Sequence, residues 1–242
     1  MRIIICENYD EMSKKAAAVL SSQIILNPES NLGLATGSTP EGMYKNIIDM
    51  YNNDTIDFSS IKTFNLDEYF GLEKQNDQSY DYFMKKHLFN HVNIKEENIN
   101  IPNGIASNPE EECARYEKVL AENNVDLQIL GIGSNAHIGF NEPSDHFNKQ
   151  TSLVDLNEST IEANARFFEN KEDVPKKAFS MGIGTIMKSK KIVLLASGEN
   201  KAQAIYDTLN SEITPQIPSS ILQLHKDVTI IVDKDAAKLL NK

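Results

Sequence analysis

Short apolar runs alternate along the whole chain with stretches in which apolar residues recur every three or four positions. The runs have the length and the flanking turn residues of buried strands, whereas the longer stretches have helical periodicity. The predicted strands cover residues 2–6, 31–35, 61–66, 125–130, 191–196 and 228–232; the predicted helices cover residues 11–25, 40–51, 80–91, 109–123, about 201–209 and 236–240. We therefore predict an α/β fold with a mainly parallel sheet flanked by helices.

Local signals refine some of these boundaries. Pro40 is suited to the first residue of a helix, and Asn108 to the N-cap of the helix that follows it. Residues 144–181 are polar, contain Pro175 and show only short helical patches around residues 159–168. We expect this stretch to form a lid on a single domain spanning residues 1–242, because no repeat or composition break divides the chain.

Composition excludes several classes of protein. Hydrophobic residues make up 40% and charged residues 24% of the chain, which is ordinary for a globular protein, and no apolar run approaches the length of a membrane span. The net charge of −11 argues against a nucleic-acid surface. Cys6 and Cys113 lack metal-ligand or CxxC spacing. With no signal-peptide pattern at the N-terminus, we expect a cytoplasmic protein that binds neither nucleic acid nor membranes.

The loop after the strand at 125–130 carries the most distinctive polar residues. It reads Gly-Ile-Gly-Ser-Asn-Ala-His-Ile-Gly-Phe-Asn-Glu-Pro over residues 131–143. Ligands of open α/β sheets bind beyond the carboxyl ends of the strands, where this loop lies. A carboxylate at Glu142 could orient the His137 imidazole for proton transfer; the alternative is a histidine satisfied by a local backbone bond. The glycine-containing loop favours the functional interpretation.

Two other predicted strands also end in polar residues. Residues 36–39, Thr-Gly-Ser-Thr, could bind an anion through backbone N–H groups and hydroxyls, or could equally form a tight turn that caps a helix. Asp67 and Glu68 follow the next strand, and adjacent residues of extended backbone point to opposite faces, so only one should face a site. Alone, this pair is more typical of a solvated acidic turn. Three polar strand ends together favour a site.

Other candidate functional residues are less specific for one function. Arg166 and Lys201 could bind an anion, although each taken singly resembles a surface charge. His87 and His91 have a metal-capable spacing without a third ligand, so we expect an exposed helix face and no metal site. The chain has no GxSxG, no Cys–His signature and no zinc cluster, which excludes acyl transfer and metal hydrolysis by those motifs.

Several stretches together resemble glucosamine-6-phosphate deaminase, also called glucosamine-6-phosphate isomerase. The resemblance is nearly end to end and rests on residues 34–40, 64–72, 131–143, 164–168 and 198–201. The sequence Asp-Glu-Tyr combined with His-x-x-x-x-Glu-Pro is specific, whereas the related 6-phosphogluconolactonases share only the fold and a similar Gly-x-Gly…His loop. The resemblance implies a modified Rossmann-type sheet and conversion of glucosamine 6-phosphate and water to fructose 6-phosphate and ammonia, without a cofactor.

The resemblance also implies roles for individual residues. Asp67 would move a proton between C2 and C1 of the open-chain sugar, and His137, partnered by Glu142, would open the ring. Asn135 stands where many relatives have an aspartate that takes part in ring opening, and Ala136 where glycine is common, which is tolerable unless φ is positive there. The residues implied for the substrate phosphate are Thr36, Gly37, Ser38, Thr39, Arg166 and Lys201.

Two alternatives remain at this stage. One is a 6-phosphogluconolactonase-like hydrolase, and the other is a non-catalytic sugar-phosphate-sensing domain of the kind fused to DNA-binding modules. A sensing domain would not need Asp67, His137 and Glu142 together. The sequence leaves monomer and homo-oligomer open. Because residues 144–154 offer one basic residue, Lys149, and the chain ends at residue 242, we expect no allosteric activation by an acetylated amino-sugar phosphate.

Overall fold

The computed structural model describes residues 1–240, with Phe167 described by its backbone alone. The strands are β1 (Arg2–Cys6), β2 (Asn31–Leu34), β3 (Lys62–Asn65), β4 (Asp67–Tyr69), β5 (Ile99–Asn100), β6 (Leu127–Leu130), β7 (Ser152–Asp155), β8 (Lys177–Ser180), β9 (Lys191–Ala196) and β10 (Val228–Asp233). The helices are α1 (Tyr9–Leu26), α2 (Ser38–Asn52), α3 (Tyr80–His87), α4 (Pro109–Glu122), α5 (Glu158–Asn164), α6 (Ile183–Ile186) and α7 (Ala202–Asn210). The predicted α/β class is confirmed.

Seven of these strands form a parallel sheet in the order β1-β10-β9-β6-β2-β3-β5. All four residues of β6 are buried, as expected for a central strand that is covered on both faces. Helices α1 and α2 pack against each other and against β9. The N-cap predicted at Asn108 is confirmed, because its side chain accepts hydrogen bonds from the backbone N–H groups of Glu110 and Glu111.

The strand order reverses between β2 and β6. From β2 the chain continues outward to β3 and β5, and then returns to add β6, β9 and β10 on the other side. At such a switch point the loops after neighbouring strands diverge and leave a crevice at the carboxyl edge of the sheet. The fold thus places the loops after β2 and β6 on either side of one opening.

A second sheet was not predicted. It is antiparallel, has the order β4-β8-β7, and takes two of its strands from residues 144–181, where we predicted only short helical patches. Strands β7 and β8 are four residues each, too short for a clear period-two pattern, and their pairing with β4 comes from tertiary contact. The helical patch around 159–168 is confirmed as α5 and a 3₁₀ turn at Ala165–Phe167. Whether the segment acts as a lid stays a prediction.

Three predicted helix boundaries differ from the structure. Helix α2 begins at Ser38, so Pro40 is its third residue, where a missing N–H is harmless because first-turn N–H groups have no helical partner. The helix predicted over 80–91 ends at His87 and is followed by a 3₁₀ turn, Phe89–His91. Residues 236–240 form turns instead of a helix, since so short a segment does not repay helix nucleation. Within residues 1–240, no helix is long and apolar enough to cross a membrane.

Candidate active site

A cavity of about 580 Å³ opens at the carboxyl edge of the parallel sheet. Its walls are the segments that follow β2, β3, β6 and β9, together with α5. The predicted residues that line it are Thr36, Gly37, Ser38, Thr39, Asp67, His137, Arg166 and Lys201. Asn135 and Glu142 lie behind His137 and contact each other. The structure therefore brings together all ten residues selected from the sequence.

The two adjacent carboxylates of β4 have different surroundings. Asp67 lines the cavity, and burial together with the negative charge of Glu68 raises the pKa of its carboxyl to about 8. Glu68 accepts hydrogen bonds from the backbone N–H groups of Tyr69, Tyr80 and Asp81, which fixes it at the start of α3. Burial raises the pKa of Glu68 to about 7 despite these donors. We take Asp67 as the candidate base because it is the one that faces the cavity.

His137 and Glu142 form the expected pair. Nδ1 of His137 lies 3.3 Å from Oε2 of Glu142. Because an ionised carboxylate only accepts hydrogen bonds, the shared proton belongs to Nδ1, and Nε2 is the acceptor in the neutral ring. The imidazole lies against Gly133, where a Cβ atom would approach ring atom Cε1 to 2.4 Å. The glycine at 133 is therefore required by the close approach of His137.

The Glu142 carboxylate is held from several sides. Its Oε2 accepts hydrogen bonds from Nδ2 of Asn135 at 2.6 Å and from Nδ2 of Asn157 at 3.2 Å, and its Oε1 accepts one from the Thr160 hydroxyl. Burial alone would raise the pKa of Glu142, but hydrogen bonds from His137, Thr160 and Asn135 and the positive charge of the imidazolium lower it to about 2. Sequence reasoning missed Asn157 and Thr160, since nothing local marks them as partners of Glu142.

Ala136 adopts a left-handed backbone conformation with φ of +66°. This is the condition under which we expected alanine to be unfavourable at this position. The turn is fixed by hydrogen bonds from the Ala136 N–H to the Gly133 carbonyl and from the Gly133 N–H to the His137 carbonyl. The loop thus holds a strained alanine directly before the candidate acid–base histidine.

Another part of the cavity wall is suited to an anion. Gly37, with φ of +89°, is the N-cap of α2 and makes no side-chain capping bond, so the structure contradicts the Ser/Thr-capped turn. Unpaired first-turn N–H groups and the helix dipole favour negative charge there. An Arg166 guanidinium N–H donates to the Ser38 hydroxyl at 3.2 Å. Burial and, secondarily, the charge of Arg166 lower the pKa of Lys201. Two adjacent cations at a helix N-terminus suit a doubly charged phosphate.

A residue on β10 supports the loop that carries Lys201. The Asp233 carboxylate accepts hydrogen bonds from the Ser197 hydroxyl at 2.5 Å, from the Gly198 N–H at 3.1 Å and from the Ala236 N–H at 2.8 Å. Gly198 needs its positive φ of +93° to make this turn. The sequence signal was an acidic residue directly after an apolar run, which we did not select.

Three of the other histidines have partners outside the cavity. His87 stacks on Phe83 with ring centroids 4.3 Å apart, and His91 contacts the Lys86 carbonyl. His225 is buried, with Nε2 2.8 Å from the Ser189 carbonyl oxygen. No cluster of three His, Cys, Asp or Glu side chains suited to a metal ion occurs among the described residues.

The fold and the cavity define a Rossmann-like α/β protein whose crevice holds a buried carboxylate, a His–Glu pair and two cationic side chains. The chain belongs to the family described as Glucosamine-6-phosphate isomerases/6-phosphogluconolactonase, which matches residues 7–231.

Individual members of this family can be compared with the chain by sequence and by structure. The chain is 62% identical over all of its 242 residues to the glucosamine-6-phosphate deaminase of Clostridioides difficile (strain 630), covering 97% of that protein. It is similar to the solved structure of a monomeric glucosamine-6-phosphate deaminase, with a TM-score of 0.96 and 45% identity over 99% of this chain and 100% of that one. A 6-phosphogluconolactonase from Trypanosoma cruzi, at a TM-score of 0.77, 19% identity and coverage of 100% and 97%, shares the fold.

Proposed function

We propose that this protein converts glucosamine 6-phosphate and water to fructose 6-phosphate and ammonia. The observation that carries the proposal is that one cavity is lined by the Asp67 carboxylate, by the His137 imidazole with its Glu142 partner, and by two cationic side chains, those of Arg166 and Lys201. The names of the relatives, glucosamine-6-phosphate deaminases at about 60% identity, support the same substrate.

Binding begins at the phosphate. The first turn of α2, Arg166 and Lys201 hold the phosphate oxygens, and binding energy from this remote group positions the reacting carbons. These two local cations are needed because the chain as a whole carries a net charge of −11. Phosphate binding also favours the charged form of Lys201, whose pKa is lowered by burial.

Ring opening requires a proton acceptor and a proton donor. Nε2 of His137 takes the proton of the C1 hydroxyl and returns one to the ring oxygen as the C1–O5 bond breaks, giving the open-chain aldehyde. Glu142 holds the ring by its Nδ1 and stabilises the imidazolium that forms in between. Asn135 orients Glu142 through its amide donor and supplies no second negative charge.

Isomerisation and deamination follow in the same cavity. Asp67 removes the C2 proton, which gives an enolamine, and delivers a proton to C1. The resulting C2 imine adds water and releases ammonia, leaving fructose 6-phosphate. Burial makes the Asp67 carboxylate a stronger base than an ordinary aspartate, and such a positioned base contributes about 10²–10⁴-fold to the rate. Neither of the two proton transfers by Asp67 requires a metal or an organic cofactor.

The proposal also covers where the enzyme acts and on which bond, how the site is covered, and whether activity is regulated. We place the enzyme in the cytoplasm, in amino-sugar catabolism, as a hydrolase acting on a C–N bond. We propose that residues 144–181 cover the site on substrate binding, and that allosteric activation is absent. Sigmoidal kinetics that become hyperbolic on adding N-acetylglucosamine 6-phosphate would contradict the last of these.

The decisive experiment is an assay of the native protein with glucosamine 6-phosphate. We expect ammonia and fructose 6-phosphate to appear in equal amounts, with no added metal or cofactor. A parallel assay with 6-phosphogluconolactone tests the lactonase alternative, and we expect no turnover above the spontaneous rate. Absence of ammonia and fructose 6-phosphate would refute the proposal. Lactone hydrolysis in place of ammonia release would favour the lactonase alternative.

A further inference from the structure

Thr160 connects α5 to the candidate acid–base pair. Its side chain is buried, with 5% of its surface exposed, and it lies in the wall of the cavity. The hydroxyl donates a hydrogen bond to Oε1 of Glu142, eighteen residues earlier in the chain. Asn157, which precedes α5, donates to Oε2 of the same carboxylate. The first turn of α5 is thus docked on Glu142.

The contacts on the Glu142 carboxylate are divided between its two oxygens. Asn135 and His137 contact Oε2, whereas Thr160 contacts Oε1. Rotation about the terminal bond of a glutamate side chain is broad and roughly two-fold, so the side chain alone does not set the plane of the carboxylate. Hydrogen bonds to both oxygens fix that plane and therefore the direction in which Oε2 accepts from Nδ1 of His137.

We propose that Thr160 is a positioning residue for ring opening. Its hydroxyl holds the Glu142 carboxylate in the plane that orients the His137 imidazole towards the sugar ring. The inference rests on the proposed function and extends it to a residue that does not touch the reacting atoms. Loss of the hydroxyl slows ring opening and leaves Asp67 and the phosphate-binding residues unchanged.

The test replaces the hydroxyl while keeping the shape of the side chain. Thr160→Val removes the donor with little change of volume, and Thr160→Ser keeps the donor and removes the methyl group. The matched control is Thr185→Val, because Thr185 is another buried threonine that donates to a glutamate, Glu117, away from this cavity. We expect Thr160→Val to lower kcat about tenfold, because a slightly misplaced catalytic group slows a reaction without abolishing it. Thr160→Ser and Thr185→Val should stay within about threefold of the native kcat.

A second readout separates positioning from general damage to the cavity. The acyclic analogue 2-amino-2-deoxyglucitol 6-phosphate cannot close a ring, so its binding needs the phosphate site and Asp67 but no ring opening. We expect its inhibition constant in Thr160→Val to stay within about twofold of the native value while kcat falls. A matching loss of analogue affinity would show that Thr160 supports the whole cavity and would overturn the inference, as would a native kcat in Thr160→Val.

Two controls complete the design. If Thr160→Val does not fold by circular dichroism, Thr160→Ala against Thr160→Ser makes the same comparison of a side chain with and without the hydroxyl. Equal losses in the serine and valine variants would show that the site responds to any change of side-chain shape, with no special need for the hydroxyl, and would contradict the inference. Failure of the native protein to release ammonia refutes the proposed function itself and is therefore a separate result.

Discussion

At the scale of single residues, the site depends on the different environments of neighbouring side chains. Asp67 and Glu68 are adjacent, yet one faces the cavity and the other accepts three backbone N–H groups. The alternation of side chains along an extended strand predicted this division from the sequence. Which of the two faces the cavity needed the structure, because the choice depends on where α3 begins.

The pH dependence of the reaction should reveal this environment. Burial and the charge of Glu68 raise the pKa of Asp67 to about 8, and a base acts in its deprotonated form. We therefore expect kcat/KM to rise as the pH increases through about 8. Glu68→Gln removes a negative neighbour, lowers the pKa of Asp67 and should shift this rise to lower pH. Glu73→Gln, at an exposed site, is the control; an identical profile in all three proteins would exclude the coupling.

Ala136 offers a test of backbone strain. Its φ of +66° costs an alanine about 1–2 kcal/mol, and glycine adopts this conformation without that penalty. We expect Ala136→Gly to raise the free energy of unfolding by about 1 kcal/mol, measured by chemical denaturation. Ala17→Gly, in the buried face of α1, should lower it by about 1 kcal/mol or more. A destabilised Ala136→Gly protein would show that packing of the methyl group outweighs the strain.

At the scale of elements, strand ends hold the loops that form the cavity. Asp233 at the end of β10 accepts hydrogen bonds from Ser197 and Gly198 and so supports the turn leading to Lys201. Asp233→Asn places an amide N–H₂ among these donors and should raise KM for glucosamine 6-phosphate roughly tenfold, with a smaller change in kcat. The exposed Asp235→Asn serves as the control. An unchanged KM in Asp233→Asn would remove this residue from phosphate binding.

The elements differed in how well the sequence predicted them. Buried parallel strands such as β6 and β9 were recognisable because their runs are mostly apolar and end in turn residues. Strands β7 and β8 were missed because four-residue strands with polar members acquire their structure from pairing with β4. Thr160 was missed for a related reason: its partner Glu142 lies eighteen residues earlier in the chain, and no local spacing encodes that contact.

At the scale of the whole molecule, the topology places the groups of the proposed reaction at the ends of different strands. The loop after β2 provides the proposed anion site, the segment after β3 provides Asp67, and the loop after β6 provides His137 and Glu142. These segments meet because the strand order reverses between β2 and β6. The sequence could predict that polar strand ends share one edge of a parallel sheet. The distances and hydrogen bonds within the site required the three-dimensional arrangement.

The central claim is that Asp67 is the base of a glucosamine-6-phosphate deaminase, and Asp67→Asn tests it most directly. The amide keeps the shape of the side chain but cannot accept the C2 proton. With glucosamine 6-phosphate, we predict a fall in ammonia release of about 10²–10⁴-fold, while the acyclic analogue still binds with near-native affinity. Near-native ammonia release by a folded Asp67→Asn protein would contradict the account.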